Sequence, residues 1–182
     1  MKNSWVISDT HFNHERILSF EVDGKSVRPG FANVQEMNEK MIDNWNKVVK
    51  PGDHVYHLGD VLFGMNKEGW MNIHWPRLNG KKFLVVGNHD NIKMLSAGGW
   101  FSKIQMWYEK KDLGLTMTHV PIHESGLYDH RHAVKSDGPN MVNVHGHIHS
   151  HLSPTKHHVC VCVEQTDYSP VNLESLRDKI RT

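Results

Sequence analysis

Side chains that bind metals follow a short apolar run near the middle of this sequence. Residues 83–86 are apolar, as is typical of a strand buried on both faces. Gly87 lets the chain turn, and Asn88, His89 and Asp90 follow at once. Folding does not require an amide, an imidazole and a carboxylate at this point, but metal binding and proton transfer do. Because α/β proteins bind ligands at strand ends, this segment predicts a functional site.

The same arrangement recurs at four further predicted strand ends. Apolar runs near residues 4–8, 55–58, 115–118 and 141–144 each lead into carboxylates or imidazoles. The side chains concerned are Asp9 with His11, Asp60, His119, and His147 with His149. A single strand-end histidine is more often an ordinary surface or core residue, but five such ends are hard to explain by folding. Because successive strand ends line one edge of a parallel sheet, we expect the groups to converge in one cleft.

The length, net charge and histidine content limit the kinds of protein that this chain can be. The 182 residues, 1–182, suit one domain with a sizeable core. With 21 basic and 20 acidic residues the net charge is +1, which gives no support to a protein that coats a polyanion. The 16 histidines are spread from His11 to His158, unlike a purification tag.

Cysteine content and hydropathy bear on the compartment. Cys160 and Cys162 are the two cysteines, and their i,i+2 spacing is poor geometry for a disulfide. Scarce cysteine fits a reducing compartment, so we expect a cytoplasmic protein. There is no signal-peptide pattern, and no apolar stretch approaches the ~20 residues that a membrane span requires.

Periodicity predicts the elements that must position these groups. Apolar residues recur at helical spacing over 33–49, with Asn33 as the N-cap and Glu36 three residues later. The remaining predictions are helices at 67–77, 91–98 and after Asn172, a single strand over 104–109, a further strand over 159–163, a loop over 21–32, and a long polar loop over 124–140.

The ordered series Asp-x-His, Gly-Asp, Gly-Asn-His-Asp, a lone His and Gly-His-x-His resembles the calcineurin-like metallophosphoesterase superfamily. It spans residues 9–149 with no departure in the metal-binding motif. The segments 8–12, 36–38, 44–46 and 79–82 are similar to those of a small bacterial and phage-type branch of predicted phosphoesterases. Residues 21–30 look enlarged relative to that branch, which bears on substrate specificity.

The resemblance implies an α/β fold, a four-layer α/β/β/α sandwich of two mixed sheets flanked by helices. It also implies a dinuclear centre in which Asp60 bridges two ions. The first ion would be held by Asp9, His11, Asp60 and His149. The second would be held by Asp60, Asn88, His119 and His147. This mixed oxygen and nitrogen ligand set favours manganese, with iron, zinc, nickel and magnesium as alternatives.

Outside the metal ligands, the resemblance makes His89 a general acid or a stabiliser of the leaving group. Two compatible roles are open for Asp90: it can orient His89, and it can cap the helix predicted over 91–98. Four further residues in nearby loops are candidate substrate contacts: His14, Arg28, His123 and Arg131.

The expected activity is hydrolysis of a nucleotide or other small phosphodiester by a hydroxide that bridges two metals about 3.5–4 Å apart. A diester is favoured because an acid at His89 helps to expel a poor alkoxide. The alternatives are a phosphomonoesterase or protein phosphatase, and a metal-bound scaffold without turnover. Nuclease action and a homodimer formed through exposed Trp or Met side chains are also left open.

Overall fold

The structure, a computed structural model, describes residues 2–128 and 139–180. These residues form eleven strands and four α-helices. The strands are β1 (Ser4–Ile7), β2 (Glu21–Val22), β3 (Lys25–Ser26), β4 (His54–His57), β5 (Lys81–Val85), β6 (Lys103–Gln105), β7 (Trp107–Lys110), β8 (Leu115–Thr118), β9 (Val142–His145), β10 (His158–Cys160) and β11 (Val171–Asn172). The helices are α1 (Val34–Val48), α2 (Lys67–His74), α3 (Ile92–Ala97) and α4 (Leu173–Ile180).

Two mixed sheets make the fold α/β, as expected. The first has the order β11-β1-β4-β5-β6, and β1, β4, β5 and β6 are parallel. The second has the order β10-β9-β8-β7, and β10, β9 and β8 are parallel. The strands β11 and β7 are each antiparallel to their neighbour. The parallel strands therefore end together at one edge of each sheet.

One face of the first sheet is covered by helices. Helix α1 begins after Asn33, whose side chain accepts a hydrogen bond from the Glu36 amide at 2.9 Å, as predicted. Its buried residues Met37, Met41 and Trp45 belong to the same core as Ile7, Val55 and Leu84 of the sheet. Burial of this apolar stripe fixes the helix against the sheet.

The other face of the first sheet packs against the second sheet. Their shared core joins Val6 and Tyr56 from the first sheet to Met117 and Val144 from the second. Helix α4 contributes Leu173 to the same core. Because both sheets lose apolar surface here, neither can move without exposing it.

Three sequence predictions of secondary structure were wrong in detail. The single strand predicted over 104–109 is two strands in different sheets, separated at Met106, which is 71% exposed. The predicted loop over 21–32 contains the hairpin β2–β3. The strand predicted over 159–163 ends at Cys160 and becomes a 3-10 turn at Val163–Gln165.

Within the part of the chain that the structure describes, no helix is long and apolar enough to span a membrane.

Candidate metal centre

Five strand ends come together at one side of the molecule. Asp9 follows β1, Asp60 follows β4 and Asn88 follows β5, all in the first sheet. His119 follows β8, and the His147 segment follows β9, both in the second sheet. Backbone hydrogen bonds join these loops directly, from the Asp9 amide to the Gly59 carbonyl at 3.0 Å and from the Gly146 amide to the His119 carbonyl at 2.8 Å. The predicted convergence therefore draws on both sheets.

The ligand-bearing loops share a backbone conformation that L-residues rarely adopt. Five of the seven predicted ligands have positive φ angles: Asp9 (56°), His11 (44°), Asp60 (55°), His147 (70°) and His149 (49°). Such conformations cost of order 1–3 kcal/mol each and persist where the surroundings impose them, as at functional sites. Their concentration in one cluster indicates that the loops are shaped for their side chains rather than for backbone stability.

Asp9 is oriented by the protein through one oxygen. Its Oδ2 accepts hydrogen bonds from the His147 amide at 2.8 Å and from the Cys162 thiol at 3.2 Å. Its Oδ1 is buried without a hydrogen-bond donor and lies 3.7 Å from Nε2 of His11 and 3.9 Å from Nε2 of His149. One oxygen of this carboxylate is fixed by hydrogen bonds and the other has no hydrogen-bond donor, which is the arrangement expected of a metal ligand.

Asp60 lies between the two groups of ligands. Its Oδ1 accepts the His89 amide at 2.9 Å. Its Oδ2 lies 3.6 Å from Nε2 of His11 and 3.6 Å from Nε2 of His119. One carboxylate oxygen therefore faces histidines from both proposed ion positions, as a bridging ligand would.

The second group is centred on Asn88. The Oδ1 atom of Asn88 lies 2.8 Å from Nε2 of His119 and 3.0 Å from Nδ1 of His147. Because Nδ1 of His119 contacts the Leu58 carbonyl at 2.7 Å, that nitrogen must carry a proton. Nε2 of His119 is therefore directed at the Asn88 side chain, so the two groups are placed as two ligands of one cation would be.

These observations test whether the residues fit a metal. Buried polar atoms are normally hydrogen-bonded, yet Oδ1 of Asp9 and both ring nitrogens of His11 have no partner among the described residues. Burial favours protonation of Asp9, but His11, His119 and His149 outweigh it and hold its pKa well below the usual range. Burial lowers the pKa of His11, which favours its neutral form. An ionised Asp9 beside a neutral His11 fits a divalent cation, and the oxygen and nitrogen donors suit manganese, iron or zinc.

Glu164 is a site residue that was not predicted. Its Oε1 accepts from Nδ1 of His149 at 2.9 Å and from Nε of Arg28 at 2.8 Å. Burial raises the pKa of Glu164, but His149 and Arg28 together lower it by more than burial raises it, so the net shift is downward. Burial lowers the pKa of His149, but the Glu164 carboxylate more than offsets this, so its net shift is upward. A carboxylate behind a ligating histidine fixes the tautomer and increases its basicity.

Arg28 was predicted to contact substrate, and the structure places it elsewhere. Its side chain is 1% exposed, and besides Glu164 it donates to the backbone carbonyls of Asp9 and Thr10. The guanidinium is occupied by these partners and stabilises the Asp9 loop from behind. The prediction was wrong because a loop position does not reveal that tertiary packing buries the residue.

We predict that Glu164→Gln weakens metal binding about 10–100-fold, the usual cost of losing a carboxylate that orients a histidine ligand. The amide can still accept a hydrogen bond from His149 but carries no charge. Metal affinity would be measured by competition with a chelator. The exposed Glu174 on α4 provides the control Glu174→Gln, and equal affinities in the two variants would contradict the role of Glu164.

Asp90 has neither of its two predicted roles. Its Oδ1 accepts from the Val61 amide, and its Oδ2 accepts from the amides of Asp60 and Gly87, all at 2.8–3.0 Å. The cap of α3 is Asn91, whose side chain accepts from the Met94 amide. Burial raises the pKa of Asp90. Asp90 therefore joins the two loops that carry Asp60 and Asn88, instead of orienting His89 or capping the helix.

His89 lies at the mouth of the centre, with an exposed side chain. Its ring centroid is 6.0 Å from that of His11 and 5.0 Å from that of Phe63. These three rings, together with His147 and His149, line an open cleft of about 1170 Å³. His89 is thus placed beside the ligands and facing the space that a substrate would enter.

The remaining predicted substrate contacts differ in position. His14 lines the cleft, and burial lowers its pKa to about 4. His123 is exposed and accepts from the Ser125 amide at a 3-10 turn, and it does not line this cleft. Arg131 lies outside the described residues, as does most of the long polar loop predicted over 124–140.

Two known proteins are similar in sequence to this chain over most of its length. The uncharacterized protein MJ1445 of Methanocaldococcus jannaschii is 33% identical over 181 residues, which cover 96% of this chain and 89% of the relative. The chain belongs to the family of this archaeal protein. Gene 66 protein of Mycobacterium phage L5 is 26% identical over 179 residues, covering 86% of this chain and 82% of the phage protein. No family model matches the sequence.

A solved structure has a similar fold. The crystal structure of AQ665 from Aquifex aeolicus, a protein of unknown function, aligns with a TM-score of 0.70 and 27% identity. The alignment covers 99% of this chain and all of that one. The overall fold is therefore shared with this bacterial protein.

Proposed function

We propose that the protein is a dinuclear-metal-dependent phosphodiesterase of the calcineurin-like superfamily. Its two sheets and helix layer would then be part of the four-layer α/β/β/α sandwich implied by the resemblance. The observation that carries the proposal is the position of Asp60, whose Oδ2 lies 3.6 Å from histidines of both ligand groups. Two ions that share one carboxylate are the arrangement used for hydrolysis of phosphoesters.

The protein's residues have distinct parts in this proposal. Seven side chains would hold the ions: Asp9, His11, Asp60 and His149 for one, and Asp60, Asn88, His119 and His147 for the other. When bound, the metal pair would supply Lewis acidity toward a phosphoryl oxygen and a water that ionises near neutral pH. Manganese is the first ion to test, followed by iron, zinc, nickel and magnesium.

His89 would deliver a proton to the leaving alkoxide. Its backbone amide is held by Oδ1 of Asp60 at 2.9 Å, which fixes the loop close to the ligands and leaves the imidazole free in the cleft. A poor alkoxide gains more from such an acid than an aryl oxide does, which supports a diester with an alkoxide leaving group over an aryl monoester. The cleft of about 1170 Å³ also exceeds what a phosphate group alone requires.

The test is hydrolysis of bis-p-nitrophenyl phosphate and of p-nitrophenyl phosphate, with added Mn²⁺ and with chelator. We expect manganese-dependent cleavage of the diester that chelator abolishes, with two metal ions per chain. Cleavage of the monoester alone would make the protein a phosphomonoesterase or protein phosphatase. Two bound ions without turnover of either compound would contradict the enzymatic assignment and favour a binding scaffold.

We predict that His89→Ala lowers hydrolysis of a diester with an alkoxide leaving group, such as a cyclic nucleotide, about 10²–10⁴-fold, the usual contribution of a positioned acid, while both metals remain bound. Hydrolysis of bis-p-nitrophenyl phosphate, whose leaving group is an aryl oxide, should fall less. Steady-state kinetics and metal analysis on the same sample would check this. His54→Ala is the matched control, because His54 begins β4 at the opposite end of that strand from Asp60. A His89 variant with unchanged diester hydrolysis would contradict the role of His89 as an acid.

A further inference from the structure

One side of the cleft is aromatic. The rings of His14 and Phe63 are stacked, with centroids 4.2 Å apart and planes at 16°. The Phe20 ring contacts His14 edge-on at 5.6 Å and 87°. These three residues, here called the aromatic wall, all line the cleft with the candidate metal ligands. None of them belongs to the ligand set.

The aromatic wall is fixed relative to the metal centre. The Phe63 amide donates to the Phe12 carbonyl at 2.8 Å, directly after the loop of Asp60. Its ring centroid lies 5.7 Å from that of His11 and 5.0 Å from that of His89. A group attached to the oxygen that His89 protonates would therefore meet the wall first.

The wall leaves apolar surface open to the cleft. Phe20 is 48% exposed, and the neighbouring Val22 and Val27 of the hairpin segment extend the lining. Exposed aromatic surface in a cleft is favourable to cover, and a phosphate with small alkyl groups would leave most of it in contact with water. The volume of about 1170 Å³ accommodates a nucleotide-sized ligand.

Polar groups at the margin indicate a heteroaromatic ligand rather than an alkyl chain. The Lys67 ammonium lies over the Phe63 ring, 4.9 Å from its centroid, and the His14 imidazole stacks on the same ring. The exposed ring of the wall is therefore that of Phe20. A nucleobase has both a flat apolar face and a polar edge, so it matches this combination. An alkyl chain matches the apolar surface alone.

We propose that the aromatic wall is the subsite for the nucleobase of the leaving group, so that the substrate is a nucleotide phosphodiester. This inference rests on the proposed function, since it assigns the side of the cleft next to His89 to the leaving group. Stacking on aromatic rings is tolerant of base identity, and the subsite would therefore bind purines and pyrimidines alike.

Binding of adenosine 5′-monophosphate and of ribose 5-phosphate, measured by calorimetry with and without Mn²⁺, tests the subsite apart from turnover. The two ligands share a phosphate and a pentose and differ in the base. We expect the nucleotide to bind about tenfold more tightly, in line with the usual strength of stacking of a base on an aromatic side chain. In Phe20→Leu, which removes the exposed ring of the wall, we expect the difference to fall to about twofold with ribose 5-phosphate binding unchanged.

The control is Trp107→Leu, which removes an aromatic residue that is 59% exposed on β7 and does not line the cleft. Equal affinity of the wild type for both ligands would overturn the subsite and leave the phosphodiesterase proposal standing. If hexyl phosphate binds as tightly as the nucleotide, the subsite binds an alkyl group and the nucleobase assignment is wrong. Selective nucleotide binding without hydrolysis of any diester would instead overturn the phosphodiesterase proposal and retain the nucleobase site.

Discussion

The substitution Asp60→Asn is expected to lower diester hydrolysis by more than about 100-fold, because even residues that merely orient a ligand contribute about 10–100-fold. Asp60 faces histidines of both ligand groups through one oxygen, so both ion positions should lose affinity together. The amide preserves the side-chain shape and can still accept the His89 amide through its remaining oxygen. Metal content per chain and kinetics at saturating Mn²⁺ would be measured on the same preparation.

Asp167→Asn is a matched control for this variant. Asp167 is exposed and has a φ of 51°, close to the 55° of Asp60, so both substitutions place asparagine in a left-handed conformation. Asparagine tolerates that conformation, and the backbone effect should be small and equal in both. Retention of two tightly bound ions by Asp60→Asn would show that Asp60 does not bridge them.

The substitution Gly87→Ala is expected to destabilise the protein by about 3 kcal/mol, at the upper end of overpacking costs. A Cβ at this position would overlap Oδ1 and the backbone nitrogen of Asp60. Backbone atoms cannot rotate away, so the loops of Asp60 and Asn88 would be forced apart. For a chain of this length the melting temperature should fall by about 6–12 °C, and metal affinity should fall with it.

Gly52→Ala separates this clash from the general effect of replacing glycine. An added Cβ at Gly52 meets nothing within 4 Å. Its effect on the melting temperature should be close to zero or slightly positive, because alanine restricts the unfolded chain. Thermal unfolding of both variants in chelator excludes any contribution from bound metal. Equal melting temperatures would mean that the loops can separate without cost.

The ligand-bearing ends could be predicted because each has a local signal. An apolar run that stops at a carboxylate or imidazole, such as 55–58 before Asp60, is visible without knowledge of the fold. Helix α1 was predictable for the same reason, since its apolar period and its Asn33 cap are local. The sequence also predicted Gly87 as a turn residue, but the structure shows that close approach to Asp60 is what excludes a side chain there.

The residues that support the centre have weaker local signals than the ligands. Glu164 and Arg28 are 136 residues apart in the sequence, and the local sequence around each gives no indication that the side chain is buried. Asp90 accepts amides from residues 60, 61 and 87, which is a property of how three segments meet. One signal was available for Glu164, because it too is a carboxylate that follows an apolar alternation, here over 159–163.

The split of the strand predicted over 104–109 shows a similar limit. Its residues have one continuous β pattern, but the chain leaves the first sheet after Gln105 and enters the second at Trp107. The alternation of apolar and polar residues indicates which side chains of a strand face the core. It does not indicate which sheet the strand joins. Met106, at the crossing point, carries no turn signal.

The loop after β1 belongs to both sheets at once, since Ser8 forms a bridge with Cys162 while the Asp9 amide binds the Gly59 carbonyl. Asp9 and His149 therefore come together where the two sheets meet. Such distant contacts form slowly during folding. A nascent chain therefore has no complete set of the proposed ligands until residue 149 has been synthesised, and we expect the proposed metals to bind only after the two sheets have docked. Because metal then binds the docked state alone, an ion at 100 times its dissociation constant would stabilise that state by about 2.7 kcal/mol.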